Sequence, residues 1–409
     1  MYTKEPFYGY DKKERDSVIK AGYKQTELGV IPEDWDIKAI GQICRLINGR
    51  GFKPFEWKND GLPIIRIQNL NGSDEFNYYD GIYDKKIEVE NGQLLFAWSG
   101  SRGTSFGPHV WRGSLGLLNY HTWKMVVKEN EVDAEFFLHA LKQQTKFIED
   151  NAHGASALVH TQKWEMEGFE VALPSTKPEQ TAIAKALSDT DALIQSLSQL
   201  IAKKRQIKQG AMQSLLNPYD AMGALKAGWE VKKLGDVLKI GHGRSQYQVI
   251  SLNGQYPILA SGGEIGRATS FLYDKPSVLI GRKGTIDVPQ YMDKPFWTID
   301  TLFYSEILKP NNAKYIFYQF CLIDWYSYNE ASGVPSLSAK TIENIDIVMS
   351  PSNEQTQIAK ILTDMDTEIT ALETKLSKYQ KIKQGMMQNL LTGRIRLITP
   401  SLQAGNKTS

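Results

Sequence analysis

The strongest constraint on the fold is an internal repeat, because a long duplicated segment fixes the architecture before any local pattern is considered. Residues 179–217 recur at a constant offset of 175 as residues 354–392, and 20 of the 39 positions are identical. Both copies begin with Glu-Gln-Thr, at Glu179 and Glu354, and contain Ile-Lys-Gln-Gly, at Ile207 and Ile382. The sequence therefore predicts two copies of one structural element.

Each copy has the apolar spacing of a long helix. Apolar residues follow alternating steps of four and three positions, which is the spacing of a coiled-coil seam. The predicted helix-pairing residues are Ile183, Leu187, Ile194, Leu197 and Ile201 in the first copy, and Ile358, Leu362, Ile369, Leu372 and Leu376 in the second. Acidic residues come early and basic residues late in each copy. This distribution favours complementarity to the helix dipole over direct contact of the basic residues with phosphates.

The segments that precede the two helices also correspond. Trp35-Asp36-Ile37-Lys38 aligns with Trp229-Glu230-Val231-Lys232 at an offset of 194, and Gly49-Arg50 aligns with Gly243-Arg244 without a gap. Both segments contain short β-branched and aromatic runs between turns, which indicates strand-rich domains with a few short helices. The predicted fold class is α+β, with two mixed, strand-rich domains and two long helices in an internal repeat.

The repeat and the turn residues give the predicted domain boundaries. An N-terminal extension occupies 1–22, a linker 218–228, and a C-terminal tail 394–409. The two globular domains and the two helices follow in alternation, at 23–174, 175–217, 229–350 and 351–393.

Composition narrows the class of protein. The 409 residues are 41% hydrophobic and 23% charged, which is typical of a folded chain, and the two cysteines, Cys44 and Cys321, suggest neither a disulfide framework nor a thiolate metal site. No stretch has the length and apolarity of a membrane span, so a cytoplasmic location is expected. The net charge of +2 does not indicate a polyanionic partner, so any surface that binds one must come from local clustering of basic residues.

The pattern of the two helices resembles one known family. The opening Glu-Gln-x-x-Ile-Ala, the later Ile-Lys-Gln-Gly and the ending Leu-Leu-Thr-Gly-Arg-Ile-Arg at 390–396 resemble the specificity subunits of type I restriction-modification systems. The resemblance runs from Tyr23 to Leu397. It implies two target-recognition domains separated by two antiparallel coiled-coil helices in a pseudo-two-fold repeat, each domain reading one half of a bipartite site in double-stranded DNA.

The resemblance also implies partners and places the chemistry in them. Two methylation subunits would carry S-adenosylmethionine chemistry on adenine N6, and two restriction or motor subunits would use ATP and Mg²⁺. This chain would then be non-catalytic, without a cofactor or a metal of its own. A helix of about 36 residues spans about 54 Å, comparable to about 16 base pairs, so the helices would set the unread spacer between half-sites.

Two matched pairs of glycine-rich loops carry most of the candidate DNA-binding residues. Arg66 and Asn69 instead follow an apolar strand, and the aligned Ala260-Ser261-Gly262-Gly263 lacks such groups. Arginine forks suit guanine, asparagine suits adenine, and glycines let a backbone approach a phosphate. The predicted DNA-binding residues are Arg50, Lys53, Arg66, Asn69 and Arg102 in the first domain, and Arg244, Arg282 and Lys283 in the second. The alternative for each is a solvated hairpin or ordinary turn chemistry.

Enzyme motifs are absent or incomplete. Asn217-Pro218-Tyr219-Asp220 lacks the second proline of an adenine-methyltransferase box and is interpreted as a helix terminator. Gly-rich phosphate loops and metal-ligand spacing of histidines are missing. Two rivals remain: a coiled-coil adaptor that binds only protein, against which the matched basic loops argue, and a single-chain enzyme, against which the missing motifs argue.

Overall fold

The computed structural model describes residues 19–154 and 157–398, and the chain divides into two compact units. The first unit takes its residues from 1–196 and 376–409, and the second from 197–375. The unit boundaries therefore lie inside the two long helices, whereas the sequence placed domain boundaries at the helix ends. Most of the predicted extension at 1–22 and of the tail at 394–409 lies outside the described residues.

Short strands and a few helices build the first unit. The strands are β1 (Tyr23–Thr26), β2 (Gly29–Pro32), β3 (Asp36–Ala39), β4 (Cys44–Asn48), β5 (Leu62–Ile65), β6 (Tyr78–Tyr79), β7 (Glu88–Val89), β8 (Leu94–Ala97), β9 (Ser99–Ser101), β10 (Gly107–Val110), β11 (Gly116–Leu118), β12 (Thr122–Val127), β13 (Leu158–His160) and β14 (Glu170–Leu173). The helices are α1 (Ile40–Ile43), α2 (Ile67–Leu70), α3 (Ala134–Asn151), α4 (Lys163–Gly168) and the long α5 (Lys177–Leu215), which continues into the second unit.

The second unit has a similar but shorter set of elements. Its strands are β15 (Glu230–Lys233), β16 (Leu238–Gly241), β17 (Tyr256–Ala260), β18 (Gly263–Ala268), β19 (Ser277–Gly281), β20 (Gln290–Met292), β21 (Trp297–Thr298), β22 (Leu302–Ile307) and β23 (Asp346–Met349). Its helices are α6 (Leu234–Val237), α7 (Ala313–Phe320), α8 (Ala339–Glu343) and the long α9 (Ser352–Leu390), which continues into the first unit.

One sheet has the same strand order in both units. The order is β10-β8-β12-β4 in the first unit and β20-β19-β22-β16 in the second, with antiparallel pairing throughout. The inner strands β8 and β19 are fully buried, which matches their uninterrupted apolar sequences. The prediction of mixed, strand-rich domains is confirmed.

The long helices are confirmed as single elements, and their bounds, Lys177–Leu215 and Ser352–Leu390, lie within three residues of the predicted ones. Within the second unit, Lys204 pairs with Glu368 at 2.6 Å and Lys208 pairs with Asp366. Because the partner number falls as the lysine number rises, the two helices run antiparallel there. Lys383 pairs with Asp191 in the first unit, at positions 175 residues removed from the Lys208–Asp366 pair.

The predicted seam residues divide into two groups. Ile183, Leu187, Ile358 and Leu362 are buried in the globular cores, so they do more than join helix to helix. The middle of the seam is less uniform: Leu197, Ile201 and Ile369 are buried, whereas Ile194, Leu372 and Leu376 are half-buried. No helix among residues 19–154 and 157–398 is both long and apolar enough to cross a membrane.

The repeated Glu-Gln-Thr motif has a structural explanation. The buried side chain of Gln180 accepts a hydrogen bond from the amide of Asp133 at 2.7 Å and donates to the carbonyl of Pro174 at 2.9 Å. Gln355 makes the matching bonds with Asn312 and Ser350. Asp133 and Asn312 are the N-caps of α3 and α7, so each glutamine fastens a long helix to the helix of its own unit.

A buried ion pair joins the residues that follow α9 to the beginning of α5 in the first unit. Arg396 donates to Glu179, whose side chain is 2% exposed, and also to Asp34 at 2.8 and 2.9 Å. Hydrogen bonding by Arg396 holds the pKa of Asp34 below its usual range. Nearby, the Tyr23 hydroxyl donates to the carbonyl of Gly393 at 3.0 Å. The residues after α9 therefore bind elements from the start of the unit.

Replacing Arg396 with methionine should destabilise the first unit by about 3 kcal/mol, because Glu179 would keep a buried charge without its partner. Thermal or denaturant unfolding of the full chain measures the change. Lys378→Met on the exposed face of α9 is the matched control and should be nearly neutral. The double variant Arg396→Met with Glu179→Gln should recover part of the loss.

The Asp34 contribution also gives a pH dependence. Since its pKa is lowered on folding, this contribution is present above the pKa of the unfolded carboxyl, about 4, and is lost as the pH falls through the folded pKa. Wild type should therefore lose more stability on acidification than Arg396→Met. Equal acid sensitivity of the two proteins would contradict this role.

Candidate nucleic-acid interface

Three backbone segments meet at one place in the first unit. The turn after β4 carries Arg50, whose amide donates to the carbonyl of Leu118 at 2.9 Å, and the end of β8 carries Trp98, whose amide donates to the carbonyl of His121 at 3.2 Å. We call residues 49–50, 98 and 118–121 the first junction. It lies at one end of the central sheet, next to the glycine-rich loop 99–104.

The second unit has the same arrangement. The amide of Arg244 donates to the carbonyl of Thr298 at 2.8 Å, and the amide of Arg282 donates to the carbonyl of Thr301 at 2.9 Å. Residues 243–244, 282 and 298–301 form the second junction. The alignment of Gly49-Arg50 with Gly243-Arg244 in the sequence therefore corresponds to matched positions in the fold.

Glycine is required at the turn of each junction. A Cβ on Gly49 would overlap the carbonyl oxygen of Asn119, and a Cβ on Gly243 would overlap that of Ile299. The turn can therefore press against the neighbouring strand only where the side chain is absent. This contact fixes the backbone positions from which the side chains of Arg50 and Arg244 project.

The two loops that carry the other candidate arginines are not equivalent residue by residue. Backbone hydrogen bonds place Arg282 where the first unit has Trp98, whereas the Gly-Thr turns at Gly103 and Gly284 both have positive φ, 69° and 88°. Four residues separate Trp98 from Gly103, but only Lys283 separates Arg282 from Gly284. Arg102 therefore lies in an insertion, and Arg282 is not its counterpart.

Arg102 is held inside its own unit. Its guanidinium donates to the carbonyl of Glu149 at 3.0 Å and lies 3.5 Å from the carboxylate of Asp150, both at the end of α3. The amide of Gly103 donates to the Glu149 carboxylate at 2.8 Å. These bonds fasten the loop to α3 and give the Arg102 guanidinium partners inside its own unit.

Arg50 is also engaged. It forms an ion pair with Glu56, and its guanidinium lies over the rings of Phe52 and Tyr79 at 4.7 and 4.8 Å. The amide of Lys53, together with Arg50, lowers the pKa of Glu56, which keeps the carboxylate charged. Lys53 itself has an exposed side chain.

Asn69, a predicted DNA-binding residue, has internal hydrogen-bond partners. Asn69 is 8% exposed, its side-chain oxygen accepts from the amide of Arg66, and its amide nitrogen donates to the carbonyls of Ser73 and Glu75. Its hydrogen-bonding groups hold the α2 turn. The Arg66 guanidinium lies over the ring of Trp57 at 5.2 Å.

The second junction offers cations with fewer internal partners. The exposed side chains of Arg244 and Lys283 form no ion pair or side-chain hydrogen bond among the described residues, and Arg282 donates only to the carbonyl of Asp300, at 3.2 Å. An open cavity of about 280 Å³ lies beside Arg282 and Lys283. It is lined by His242, Arg282, Lys283, Phe303, Glu330 and residues 336–339.

Sequence reasoning missed the partners that define these sites. Glu149 and Asp150 lie more than 40 residues from Arg102, so no local pattern relates them. Asp300 and Tyr120 occupy equivalent places in the two junctions at an offset of 180 residues, so the alignment at an offset of 194 does not pair them. No cluster of three or more His, Cys, Asp or Glu side chains suited to a metal ion occurs in the described part of the chain.

Comparison with known proteins gives a consistent result. The family model described as "Type I restriction modification DNA specificity domain" matches residues 32–207 and 226–384, and each range contains one junction. The MjaVIII type I restriction enzyme specificity subunit of Methanocaldococcus jannaschii is 24% identical over 420 residues, covering 90% of this chain and 94% of that protein. The putative MjaX specificity subunit of the same organism is 26% identical, covering 92% and 97%.

Solved structures share the fold. The crystal structure of a type I restriction-modification S subunit from M. genitalium covers 87% of this chain and 96% of its own, with a TM-score of 0.67 at 18% identity. A chain from a study of complex assembly and conformational transition of a type I system covers 89% and 99%, with a TM-score of 0.50 at 14% identity.

Alanine at Gly49 or Gly243 should destabilise its unit by about 1 to 3 kcal/mol, because the new Cβ must displace a backbone carbonyl. Unfolding of the full chain measures the effect. Gly51→Ala and Gly262→Ala are the controls, since their Cβ atoms would meet only the Tyr120 ring at 3.7 Å and open space, respectively. Wild-type stability in Gly49→Ala and Gly243→Ala would mean that this contact does not fix the turns.

Proposed function

This chain belongs to the family of type I restriction-modification DNA specificity subunits, and from that premise we propose that it recognises a bipartite sequence in double-stranded DNA. Each unit reads one half-site through its junction, and the chain itself carries out no chemistry. The observation that supports this best is the pair of junctions. The same backbone hydrogen bonds present different side chains in the two units, as two readers of different half-sites require.

The side chains at the junctions suit DNA. Lysine and arginine neutralise phosphates, and the arginine fork matches the O6 and N7 acceptors of guanine in the major groove. Arg244 and Lys283 are exposed without internal ion pairs among the described residues, so they are available for phosphates. Arg282 is anchored by one bond to Asp300 and keeps further N–H groups free.

The first unit presents different side chains at its junction. Its junction carries the half-exposed Trp98 and the exposed Tyr120, whose ring lies 3.8 Å from that of His121. Arg50 and Arg102 are committed to internal partners. In our proposal this unit therefore contributes aromatic and shape-dependent contacts, and the second unit contributes most of the electrostatic attraction.

The long helices set the spacer in this proposal. Each helix is continuous over 39 residues and contributes apolar residues to the cores of both units. A change in helix length therefore cannot be absorbed by a flexible linker.

The chemistry is assigned to partners. We propose that two methylation subunits supply adenine methylation with S-adenosylmethionine, and that two motor subunits supply ATP- and Mg²⁺-dependent cleavage, in the cytoplasm. The family and the structural neighbour from a study of complex assembly support association with other subunits.

Insertion of one heptad into both long helices, after Ser198 and Thr374, should lengthen the spacer while both half-sites keep their sequences. Seven residues add about 10.5 Å, close to the rise of about three base pairs, and a whole heptad keeps the apolar seam in phase. Methylation mapping in cells that express the variant with its partners reads out both half-sites and the spacer. An unchanged spacer would contradict the helices as the distance gauge.

Arg244→Ala and Arg102→Ala should behave differently. Arg244→Ala should weaken binding evenly across sequences and reduce the slope of log affinity against log salt by about one. Arg102→Ala should lower thermal stability and leave the slope unchanged, because its guanidinium is bound to α3. Affinity for cognate and singly altered duplexes at several salt concentrations measures both. The reverse pattern would show that Arg102 is the DNA contact.

A further inference from the structure

We infer that the position held by Trp98 in the first unit and by Arg282 in the second determines the difference in base preference between the two half-sites. Arg282 selects guanine in the half-site of the second unit, and Trp98 contacts its half-site without a hydrogen bond. The inference rests on the proposed function. It adds the residue position that gives the two units different base preferences.

Three equivalent hydrogen bonds show that Trp98 and Arg282 occupy corresponding positions in the two units. Their amides donate to His121 and Thr301, and their carbonyls accept from the amides of Thr161 at 2.9 Å and Leu337 at 3.0 Å. Their side chains also make the same bond. The Trp98 indole N–H donates to the carbonyl of Tyr120 at 2.9 Å, and the Arg282 guanidinium donates to the carbonyl of Asp300 at 3.2 Å.

The guanidinium of Arg282 has donors to spare. An arginine side chain carries five N–H donors, and only the bond to Asp300 is made among the described residues. That bond fixes the direction of the side chain, so less conformational entropy is lost when the fork meets a base. Arg244 and Lys283 lack such an anchor, which suits them to phosphates rather than to one base edge.

Trp98 presents the opposite chemistry. Its single N–H is already used on Tyr120, and its ring stacks on Trp123 with centroids 5.8 Å apart and an interplanar angle of 24°. The His121 ring meets it edge-on at 5.5 Å. What remains is apolar surface, which suits a thymine methyl group or a sugar and offers no donor to guanine.

The test is selection of a randomised duplex library by the full chain assembled with its methylation subunits. Arg282→Gln should change one position of one half-site from guanine to adenine, because a carboxamide pairs with adenine N6 and N7. The preference for guanine there should fall at least about fivefold. Arg282→Lys should retain guanine, and Arg282→Trp should lose the preference. The half-site of the first unit should stay the same in all three.

Two controls separate a change in base preference from a loss of folding and from a loss of DNA affinity. Lys283→Gln, next to the site, should weaken binding without changing either half-site. Circular dichroism and thermal unfolding check that each variant is folded.

The inference is overturned if folded Arg282→Gln and Arg282→Trp both select the wild-type guanine. Failure of the proposed function looks different. In that case the wild-type assembly itself selects no bipartite sequence, and the inference falls with it.

Discussion

Burial of apolar residues from both long helices in each globular core is the contact on which the rest of the molecule depends. Ile183 and Leu187 share the first core with Leu390 and Leu391, from the opposite end of the repeat. The second core contains Met212 and Leu216 together with Ile358 and Leu362. Each core is thus completed by segments far apart in sequence, and neither globular part is independent of the helices.

The two copies give equivalent glutamates different partners. Glu179 and Glu354 are equivalent in the repeat, but Glu179 pairs with Arg396, whereas Glu354 accepts a hydrogen bond from the indole of Trp229 at 3.0 Å. The residue 175 positions before Arg396 is Ala221, so the second unit has no such arginine. Glu179 is buried and a buried acid needs a partner, whereas Glu354 is only half-buried.

The regular parts of the fold were predictable because their signals are local. The four-and-three spacing identified both long helices, and the short β-branched and aromatic runs indicated strand-rich domains. The side-chain partners were not predictable. Arg102 is a basic residue in a glycine-rich loop, and only the fold shows that Glu149 binds it; Asn69 follows a strand like a groove-facing residue, yet the turn uses its whole amide. Such roles depend on contacts between distant segments, on which sequence spacing gives no information.

The position of the Arg396 closure has a consequence for biosynthesis. Residues 197–375, which form the second unit, emerge from the ribosome before residues 390–396 do. The second unit can therefore close while the first still lacks Leu390, Leu391 and Arg396, although most of the first unit was synthesised earlier. The order of completion is the reverse of the order of translation. A nascent chain arrested before this point would expose the apolar surface of the first unit, where chaperones and proteases can recognise it.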